Sequence, residues 1–276
     1  MPRRIAICAP ATPITRDHAE AVTALAAMEF PALVLAFHDQ CFRAEGHFAG
    51  ADAVRLSAFL DCANDPASDA VWFAKGGYGS NRLLPGALDG LSGAARAKTY
   101  LGYSDGGFLL GALYARGIGQ AVHAPMPTDI RRAGGAEAVR RTLAWLAGDT
   151  GGIEPHCGAE PTAAFNLTTL AMLLGTPHMP DLTGHVLMVE EVCEHLYAID
   201  RLFFHAAALL PRLAGLRLGL VSEVPANDRP FGADAEEIAA YWCARAGIPY
   251  LGRAAIGHSA TNRIVPFGLA RSPGGA

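Results

Sequence analysis

Residues 98–116 carry the sequence KTYLGYSDGGFLLGALYAR, and this stretch decides which fold class the chain is predicted to have. The run from Lys98 to Tyr103 predicts a strand, and residues 106–116 predict a helix directly after it. A strand that passes into a helix through so short a turn is typical of parallel sheets, in which helices carry the crossovers between strands.

The rest of the first half repeats this alternation of strand and helix. The sequence predicts strands at residues 4–8, 32–37 and 70–74, and helices at residues 17–29 and 51–64. We therefore expect an α/β protein with an N-terminal parallel-sheet domain that carries helices on both faces. Functional loops should follow the carboxyl ends of its strands.

Glycine, proline, threonine and glutamate crowd together between residues 148 and 164, which is typical of a linker. We expect an N-terminal domain of residues 1–150, a linker of residues 151–164 and a C-terminal domain of residues 165–276. In the last domain the sequence predicts helices at 167–174, 197–209 and 233–246, strands at 185–189, 216–222 and near Tyr250, and a frayed tail after Phe267.

The composition argues against several classes of protein. Of the 276 residues, 51% are hydrophobic and 17% are charged, as in packed globular proteins and unlike disordered chains. The net charge of −4 gives no reason to expect a nucleic-acid partner. No apolar run reaches the roughly 18 residues of a membrane span, and no secretory signal is recognisable.

The six cysteines are scattered along the chain without a CxxC pair, and this spacing disfavours a zinc site. Because the cysteines lie within apolar segments, we expect them to be reduced thiols of the core. We therefore expect a cytoplasmic protein without a metal ion.

Ser104 is the candidate nucleophile. It lies in Gly-Tyr-Ser-Asp-Gly, residues 102–106, where a turn from strand to helix would expose the side chain. The helix N-terminus behind it would favour developing negative charge. A serine at this position can equally be a helix N-cap, and the motif alone does not decide between the two roles.

A glycine-rich loop, Lys75-Gly-Gly-Tyr-Gly-Ser80, follows the third predicted strand directly. Consecutive glycines let backbone N–H groups converge on an anion, as an oxyanion hole requires. A phosphate cradle would use the same property, but the P-loop spacing is absent. Taken alone, the loop favours a simple tight turn.

A serine nucleophile needs a base and an acid that orients the base. Among ten histidines, His258 stands out because it lies in a turn-like loop after the last predicted strand. Glu190 ends an apolar run and should emerge at the carboxyl end of a strand. Glu191 should point elsewhere by strand alternation, and Glu194 should cap or pair locally.

The sequence resembles the LD-carboxypeptidase family, which also contains the microcin-immunity serine peptidases. The similar segments occur in the family's order along nearly the whole chain, at residues 47–55, 75–84, 101–105, 123–126, 166–177, 180–184, 186–190, 194, 197–201 and 257–258. The resemblance implies two domains that meet at the active site, the second of mixed α/β character. It also implies a small peptide substrate, no organic cofactor and, in many members, a dimer.

The resemblance assigns the site residue by residue. It makes Ser104 the nucleophile, Glu190 the acid and His258 the base. The oxyanion hole would use backbone N–H groups of Gly76 or Gly77, and of Asp105.

Two positions depart from the family pattern. Lys75 stands where arginine is usual and keeps the charge without the planar fork, and Ala124 stands where glycine is usual. For binding the substrate and its terminal carboxylate, the candidates are Lys75, Tyr78 and Arg82.

The expected reaction is hydrolysis of the amide between the L-centre of a diamino acid and a terminal D-amino acid in murein tetrapeptides. The short interdomain segment favours this carboxypeptidase branch. A second candidate is an immunity-type peptidase that cleaves peptide–nucleotide or aminoacyl–nucleotide conjugates. The residues also leave open an α/β-hydrolase esterase with a single eight-stranded sheet, and a binding protein that has lost activity.

Overall fold

The computed structural model describes residues 2–270, and its strands form two sheets. The first sheet has six strands in the order β10-β5-β4-β3-β1-β2. All neighbouring pairs are parallel except β10 with β5. Its strands are β1 (Arg3–Cys8), β2 (Leu33–Phe37), β3 (Ala70–Phe73), β4 (Thr99–Gly102), β5 (Gln120–His123) and β10 (Val265–Pro266).

The central strands of this sheet are apolar because both of their faces are covered. Every residue of β3 and β4 is buried, as expected for a parallel sheet with helices on both sides. Side chains alternate between the faces, so Val71 and Phe73 pack in one apolar cluster while Ala70 and Trp72 pack in the other. The predicted α/β class with a parallel sheet is confirmed.

The helices of the first half connect successive strands. The turn after β4 contains Ser104 and Asp105, two of the residues that the sequence analysis singled out, and a helix follows that turn. The helices are α1 (Arg16–Glu29), α2 (Asp52–Asn64), α3 (Leu84–Ala87), α4 (Gly107–Ala115) and α5 (Gly135–Leu146).

The second sheet has four parallel strands in the order β6-β7-β8-β9. Helices follow three of the four strands, so this half is also of α/β character. The strands are β6 (Thr162–Asn166), β7 (Val186–Val192), β8 (Gly215–Ser222) and β9 (Tyr250–Arg253), and the helices are α6 (Leu167–Leu173), α7 (Leu196–Ala206) and α8 (Ala235–Ala246).

Short side-chain caps define where two of these helices begin. Asn166 ends β6, and its side chain accepts a hydrogen bond from Thr169 N, which starts α6 without a connecting loop. Asp234 accepts from the N–H groups of Glu236 and Glu237 at the start of α8. Both residues are of the type that best satisfies the free N–H groups of a first helical turn.

Five elements were not predicted: α3, β5, α5, β6 and β10. β5 has four residues and β10 two, too few for a period-2 pattern to be recognised. β6 lies directly after the glycine- and proline-rich segment, where composition predicts a linker. Val265 of β10 pairs with His123 of β5, which brings the end of the chain back to the first sheet.

The two halves of the chain pack together through close helix contacts. A Cβ atom added at Gly111 of α4 would lie 2.9 Å from Leu173 and 3.2 Å from Phe165, so a larger residue there would have to displace these side chains. One apolar cluster contains buried residues of both halves. Buried apolar residues of the two halves therefore pack against each other, while the boundaries at residues 150 and 165 stay a prediction.

All six cysteines are free thiols; Cys8, Cys41, Cys62 and Cys243 are buried, whereas Cys193 is exposed. Within residues 2–270, none of the helices is both long and apolar enough to span a bilayer. The last six residues of the predicted frayed tail lie outside the described residues.

Candidate active site

Ser104 lies in the sharp turn between β4 and α4. Its φ of +56° is in the left-handed region, which costs a non-glycine residue roughly 1–2 kcal/mol. The turn is tight because Gly102 packs on Phe73, where an added Cβ would come within 2.7 Å of the ring. The N-cap role is wrong for Ser104, since Tyr103 and Gly106 occupy the cap positions. Strain at this one residue aims its hydroxyl out of the sheet.

A chain of two hydrogen bonds connects Ser104 to a buried carboxylate. Ser104 Oγ lies 3.1 Å from His258 Nε2, and His258 Nδ1 lies 2.8 Å from Glu190 Oε2. When Nδ1–H donates to Glu190, Nε2 is left as the acceptor of the serine proton. The serine comes from the first half of the chain and the other two residues from the second.

Glu190 is fully buried in β7, near the carboxyl end of the strand. The pairing of β7 with β8 shifts register between Val189 and Glu191, so the strand is irregular at Glu190 itself. Gly219 of β8 lies opposite, and a Cβ there would be 3.0 Å from Glu190 Cβ and 2.6 Å from Ile256. The absence of a side chain at this glycine gives the carboxylate its room beside the histidine loop.

Glu191 faces the other way, as strand alternation predicts. Its carboxylate accepts hydrogen bonds from Asn166 Nδ2 at 2.6 Å, Thr168 N at 2.9 Å and Thr168 Oγ1 at 2.7 Å. It therefore holds the start of α6. Glu194 has no hydrogen-bonding or ionic partner among residues 2–270, so the expected local pairing is not observed.

The surroundings of His258 stabilise its charged form. Burial disfavours the imidazolium, but the hydrogen bond and negative charge of Glu190 outweigh it, and the pKa of His258 is raised. The ring of Tyr103 packs 4.9 Å from the imidazole. Arg132 Nη1 donates to the carbonyl oxygen of His258 at 2.8 Å. His258 is thus fixed both by its ring and by its backbone.

A buried carboxylate, Asp129, contacts Tyr103 and Arg132, the two residues that pack against His258 or bond to it. It accepts from Tyr103 Oη at 2.9 Å and from Met126 N at 2.8 Å, and lies 3.5 Å from Arg132 Nε. Burial raises the pKa of Asp129, whereas these hydrogen bonds oppose that rise. Asp129 therefore orients Tyr103 and Arg132.

The glycine-rich loop lies against Ser104. An added Cβ at Gly76 would be 3.2 Å from Ser104 Oγ, and at Gly77, whose φ is +100°, it would be 2.7 Å from Thr12. Thr12 Oγ1 donates to Gly76 O at 2.6 Å and fixes the loop. Within residues 2–270, the N–H groups of Gly76 and Gly77 donate no hydrogen bond, which leaves them available to an oxyanion.

The side chain of Asp105 ties this loop to the serine turn. Its carboxylate accepts from Gly79 N at 3.1 Å and Ser80 N at 2.9 Å, while Ser80 Oγ donates to Asp105 O at 2.5 Å. The sequence predicts a role only for the backbone N–H of Asp105. The structure adds a positioning role for its carboxylate.

Two cavities open on either side of Ser104. The larger, of about 750 Å³, includes Tyr78, Asn81, Phe108, Met172, Glu191 and Glu194 in its lining. The smaller, of about 430 Å³, includes His18, Lys75, Tyr103, Arg131, Arg132 and His258. Ser104 and Gly77 line both.

The three predicted substrate-binding residues separate in the structure. Lys75 lines the smaller cavity and Tyr78 the larger one. Arg82 lines neither: its Nε pairs with Asp52 Oδ2 at 2.8 Å and its guanidinium lies 5.0 Å from the ring centre of Phe48. The structure therefore gives no support to a substrate-binding role for Arg82, which stays a prediction.

Arg131 and Arg132 line the smaller cavity, and sequence reasoning missed them. They lie in the loop after β5, a strand that was not predicted, so nothing marked the loop as a strand's carboxyl end. Among residues 2–270, no group of three His, Cys, Asp or Glu side chains is placed to hold a metal ion.

Comparisons with known proteins agree with this geometry. Residues 5–124 match the model of the LD-carboxypeptidase N-terminal domain, and residues 162–271 match that of the LD-carboxypeptidase C-terminal domain. A murein tetrapeptide carboxypeptidase of Pseudomonas aeruginosa is 28% identical over 289 residues, covering 96% of this chain and 91% of the relative.

Solved structures share the fold. A muramoyltetrapeptide carboxypeptidase from Oxalobacter formigenes superposes with a TM-score of 0.79 at 24% identity, covering 98% of this chain and 96% of that one. The microcin C7 self-immunity protein MccF superposes with a TM-score of 0.78 at 17% identity, covering 97% and 91%. At these identities the superpositions establish the fold alone.

Proposed function

The chain belongs to the LD-carboxypeptidase family, and we propose that it removes the terminal D-amino acid from murein tetrapeptides. It is a serine-type carboxypeptidase. The bond cleaved is the amide between the L-centre of a diamino acid and the terminal D-residue. The role is in the recycling of cell-wall peptides.

One observation carries the proposal: the hydrogen-bonded chain from Ser104 through His258 to Glu190, at 3.1 and 2.8 Å. In acyl transfer a serine must lose its proton as it attacks, and a histidine of fixed tautomer is the group that accepts it. The carboxylate that fixes the tautomer is buried and so keeps its orientation.

The mechanism follows from these positions. His258 takes the proton of Ser104 as Oγ attacks the carbonyl carbon, and the N–H groups of Gly76 or Gly77 and of Asp105 stabilise the oxyanion. His258 then gives the proton to the departing amine, which leaves an acyl-enzyme on Ser104. A water molecule, deprotonated by His258, then attacks the ester carbonyl carbon. The bond between that carbon and Ser104 Oγ breaks, His258 returns the proton to Oγ, and the shortened peptide is released. Each proton moves through His258 alone.

The large cavity gives support to a second candidate. A volume of about 750 Å³ beside Ser104 could accommodate a nucleotide or a peptide stem. MccF, which shares the fold, has been solved in complex with glutamyl sulfamoyl guanosine. An immunity-type peptidase acting on aminoacyl–nucleotide conjugates is therefore the competing function to be tested.

The esterase and the inactive binding protein do not hold as candidates. The single eight-stranded sheet expected of an α/β-hydrolase esterase is not found, since the strands of residues 2–270 form sheets of six and four. Membership of a carboxypeptidase family argues against an inactive binding protein.

The setting of the enzyme is also a proposal. Six free cysteines fit a reducing compartment, and we propose a cytoplasmic location. A small peptide is the proposed partner, without nucleic acid, and a homodimer is the proposed assembly. The oligomeric state is measured by light scattering of the purified protein.

The proposal is tested by incubating purified protein with a murein tetrapeptide and, separately, with an aminoacyl–nucleotide conjugate, and identifying products by mass spectrometry. We expect release of D-alanine from the tetrapeptide and little change in the conjugate. Cleavage of the conjugate with an intact tetrapeptide would favour the immunity-type candidate.

A further inference from the structure

Two buried side chains, His123 and Asn262, lie next to the loop of His258 and take no part in the mechanism above. His123 ends β5, Asn262 lies between β9 and β10, and both are 1% exposed. His123 Nε2 lies 2.9 Å from Asn262 Oδ1. The same oxygen accepts a hydrogen bond from the N–H of Gly257 at 3.1 Å. The two side chains therefore connect to the backbone of the residue before His258.

The shared oxygen decides which ring nitrogen of His123 carries the proton. A backbone N–H can only donate, so the atom of Asn262 that faces Gly257 must be the amide oxygen. Because that oxygen has no proton to give, His123 must donate to it from Nε2–H. Burial lowers the pKa of His123 more than the hydrogen bond to Asn262 raises it. The ring is therefore uncharged at neutral pH, with its proton on Nε2.

The amide of Asn262 is only partly satisfied. Its Nδ2 is buried and has no hydrogen-bonding partner within residues 2–270. Unpaired buried donors are rare in native proteins and call for an explanation. A carboxylate would accept both bonds without an unpaired donor, but it would add negative charge beside the loop of His258. The asparagine supplies the same two bonds without that charge.

His123 also belongs to the sheet that carries Ser104. In the pairing of β4 with β5, His123 is the register partner of Gly102, which precedes Ser104 by two residues. Strand pairing and hydrogen bonds thus form a continuous path from the serine turn, through His123 and Asn262, to the loop of His258. This path joins the two halves of the chain beside the candidate site.

The backbone of His258 is held on both of its sides. Gly257 N donates to Asn262 before it, and Arg132 Nη1 donates to the carbonyl oxygen of His258 after it. The turn has little space, since Gly257 has a φ of +132° and an added Cβ would come within 2.8 Å of a neighbouring side chain. A shift of this turn would change the 3.1 Å separation of His258 Nε2 from Ser104 Oγ.

We propose that His123 and Asn262 are positioning residues that together place His258 against the nucleophile. His123 donates from Nε2–H to Asn262 Oδ1, and that oxygen fixes the turn at Gly257. Neither His123 nor Asn262 lines either of the two cavities, so neither touches the substrate. The proposal rests on the proposed function and adds to it the means by which the base is aligned with the serine.

The first test removes the shared acceptor. In Asn262→Ala both bonds are lost, and kcat for the murein tetrapeptide should fall roughly tenfold or more with KM nearly unchanged, since a misplacement of about 1 Å can cost a hundredfold in rate. Asn64→Ala is the matched control, because Asn64 also makes two bonds to the backbone, with Gly90 O and Ser92 N, and lines neither cavity. A kcat for Asn262→Ala equal to that of Asn64→Ala would overturn the proposal.

Replacements of His123 separate its hydrogen bond from its packing against Tyr103, whose ring centre lies 5.5 Å away. His123→Gln still presents an N–H donor to Asn262 and should retain most of the wild-type kcat. His123→Leu fills the space without a donor and should lose about as much as Asn262→Ala. Thermal unfolding verifies that each variant is folded. Equal kcat values for His123→Gln and His123→Leu would show that the hydrogen bond has no positioning role.

NMR spectra of the imidazole nitrogens need no substrate, and so they separate a failure of this proposal from a failure of the proposed function. His123 should be neutral with its proton on Nε2, and Asn262→Ala should shift the resonance of His258 Nδ1 while Asn64→Ala leaves it in place. These results would support the positioning pair even if the wild-type protein does not cleave the tetrapeptide. A proton on His123 Nδ1, or an unchanged His258 resonance in Asn262→Ala, would contradict it even if the tetrapeptide is cleaved.

Discussion

Glu190 and Glu191 are neighbours on β7, yet their carboxylates contact different parts of the molecule. Glu190 bonds His258, and Glu191 bonds Asn166 and Thr168. A residue's role here depends on which side of the strand it faces, because successive side chains point to opposite faces.

This difference gives a matched pair of variants. Glu190→Gln should lower kcat by roughly 10³–10⁴-fold, since the amide can present a donor to Nδ1 and favour the wrong tautomer. Glu191→Gln should act mainly on stability, lowering the free energy of unfolding by about 1–3 kcal/mol. Steady-state kinetics and urea unfolding measure the two effects. Full activity in Glu190→Gln would remove it from the site.

The fall of kcat/KM at low pH should report the pKa of His258. As the proposed base, His258 works only when neutral, and burial lowers its pKa less than Glu190 raises it. We therefore expect kcat/KM to fall as the pH drops through a value above the ordinary 6.5. In Glu190→Gln the residual rate should show this fall at lower pH, because burial then acts without the opposing carboxylate. A fall that stays at the same pH would contradict the assignment.

At the level of single residues, local pattern made Ser104, Glu190 and His258 candidates and the family resemblance assigned their roles, and the structure brings them within hydrogen-bonding distance. Each lies at a strand end or in the loop after a strand, where such patterns are easiest to recognise. Arg132 and the carboxylate role of Asp105 could not be named, because both depend on contacts between segments distant in sequence. The contacts of Arg82 with Asp52 and Phe48 could not be predicted either, because both partners lie outside its own motif.

At the level of elements, the glycine-rich loop and the serine turn behave as one unit joined by Asp105. Asp105→Asn places an amide N–H₂ opposite one of two backbone donors, Gly79 N or Ser80 N, which then loses its acceptor. We expect kcat to fall about tenfold or more with little change in KM, since displaced oxyanion donors affect the transition state most.

Asp89→Asn serves as the control, since Asp89 is an exposed carboxylate. Thermal unfolding of both variants separates a rate effect from a loss of fold. A kcat for Asp105→Asn equal to that of Asp89→Asn would show that the Asp105 carboxylate does not position the loop.

The long elements of the first sheet were predictable, whereas the strands that complete it were not. Strands such as β1 and β3 have continuous apolar runs between turn residues, which a local window detects. β10 has two residues and exists only because the end of the chain returns to β5. The pairing of β10 with β5 is a contact between distant parts of the chain, and no local sequence pattern predicts it.

For the whole molecule, the candidate site exists only where the two halves meet. Expressed alone, residues 1–150 carry Ser104 and the glycine-rich loop but lack Glu190, His258 and β10. We expect this fragment to release no D-alanine from the tetrapeptide in an assay that detects the full chain readily. Activity in the fragment would place the base in the first half and exclude His258.

The central claim is that Ser104 attacks the amide of the terminal D-residue. The most direct measurement follows D-alanine released from a murein tetrapeptide by the wild-type protein and by Ser104→Ala, with circular dichroism to verify that both are folded. The account predicts release by the wild type and a loss of at least roughly 10³-fold in the variant. Comparable release by a folded Ser104→Ala protein would contradict it.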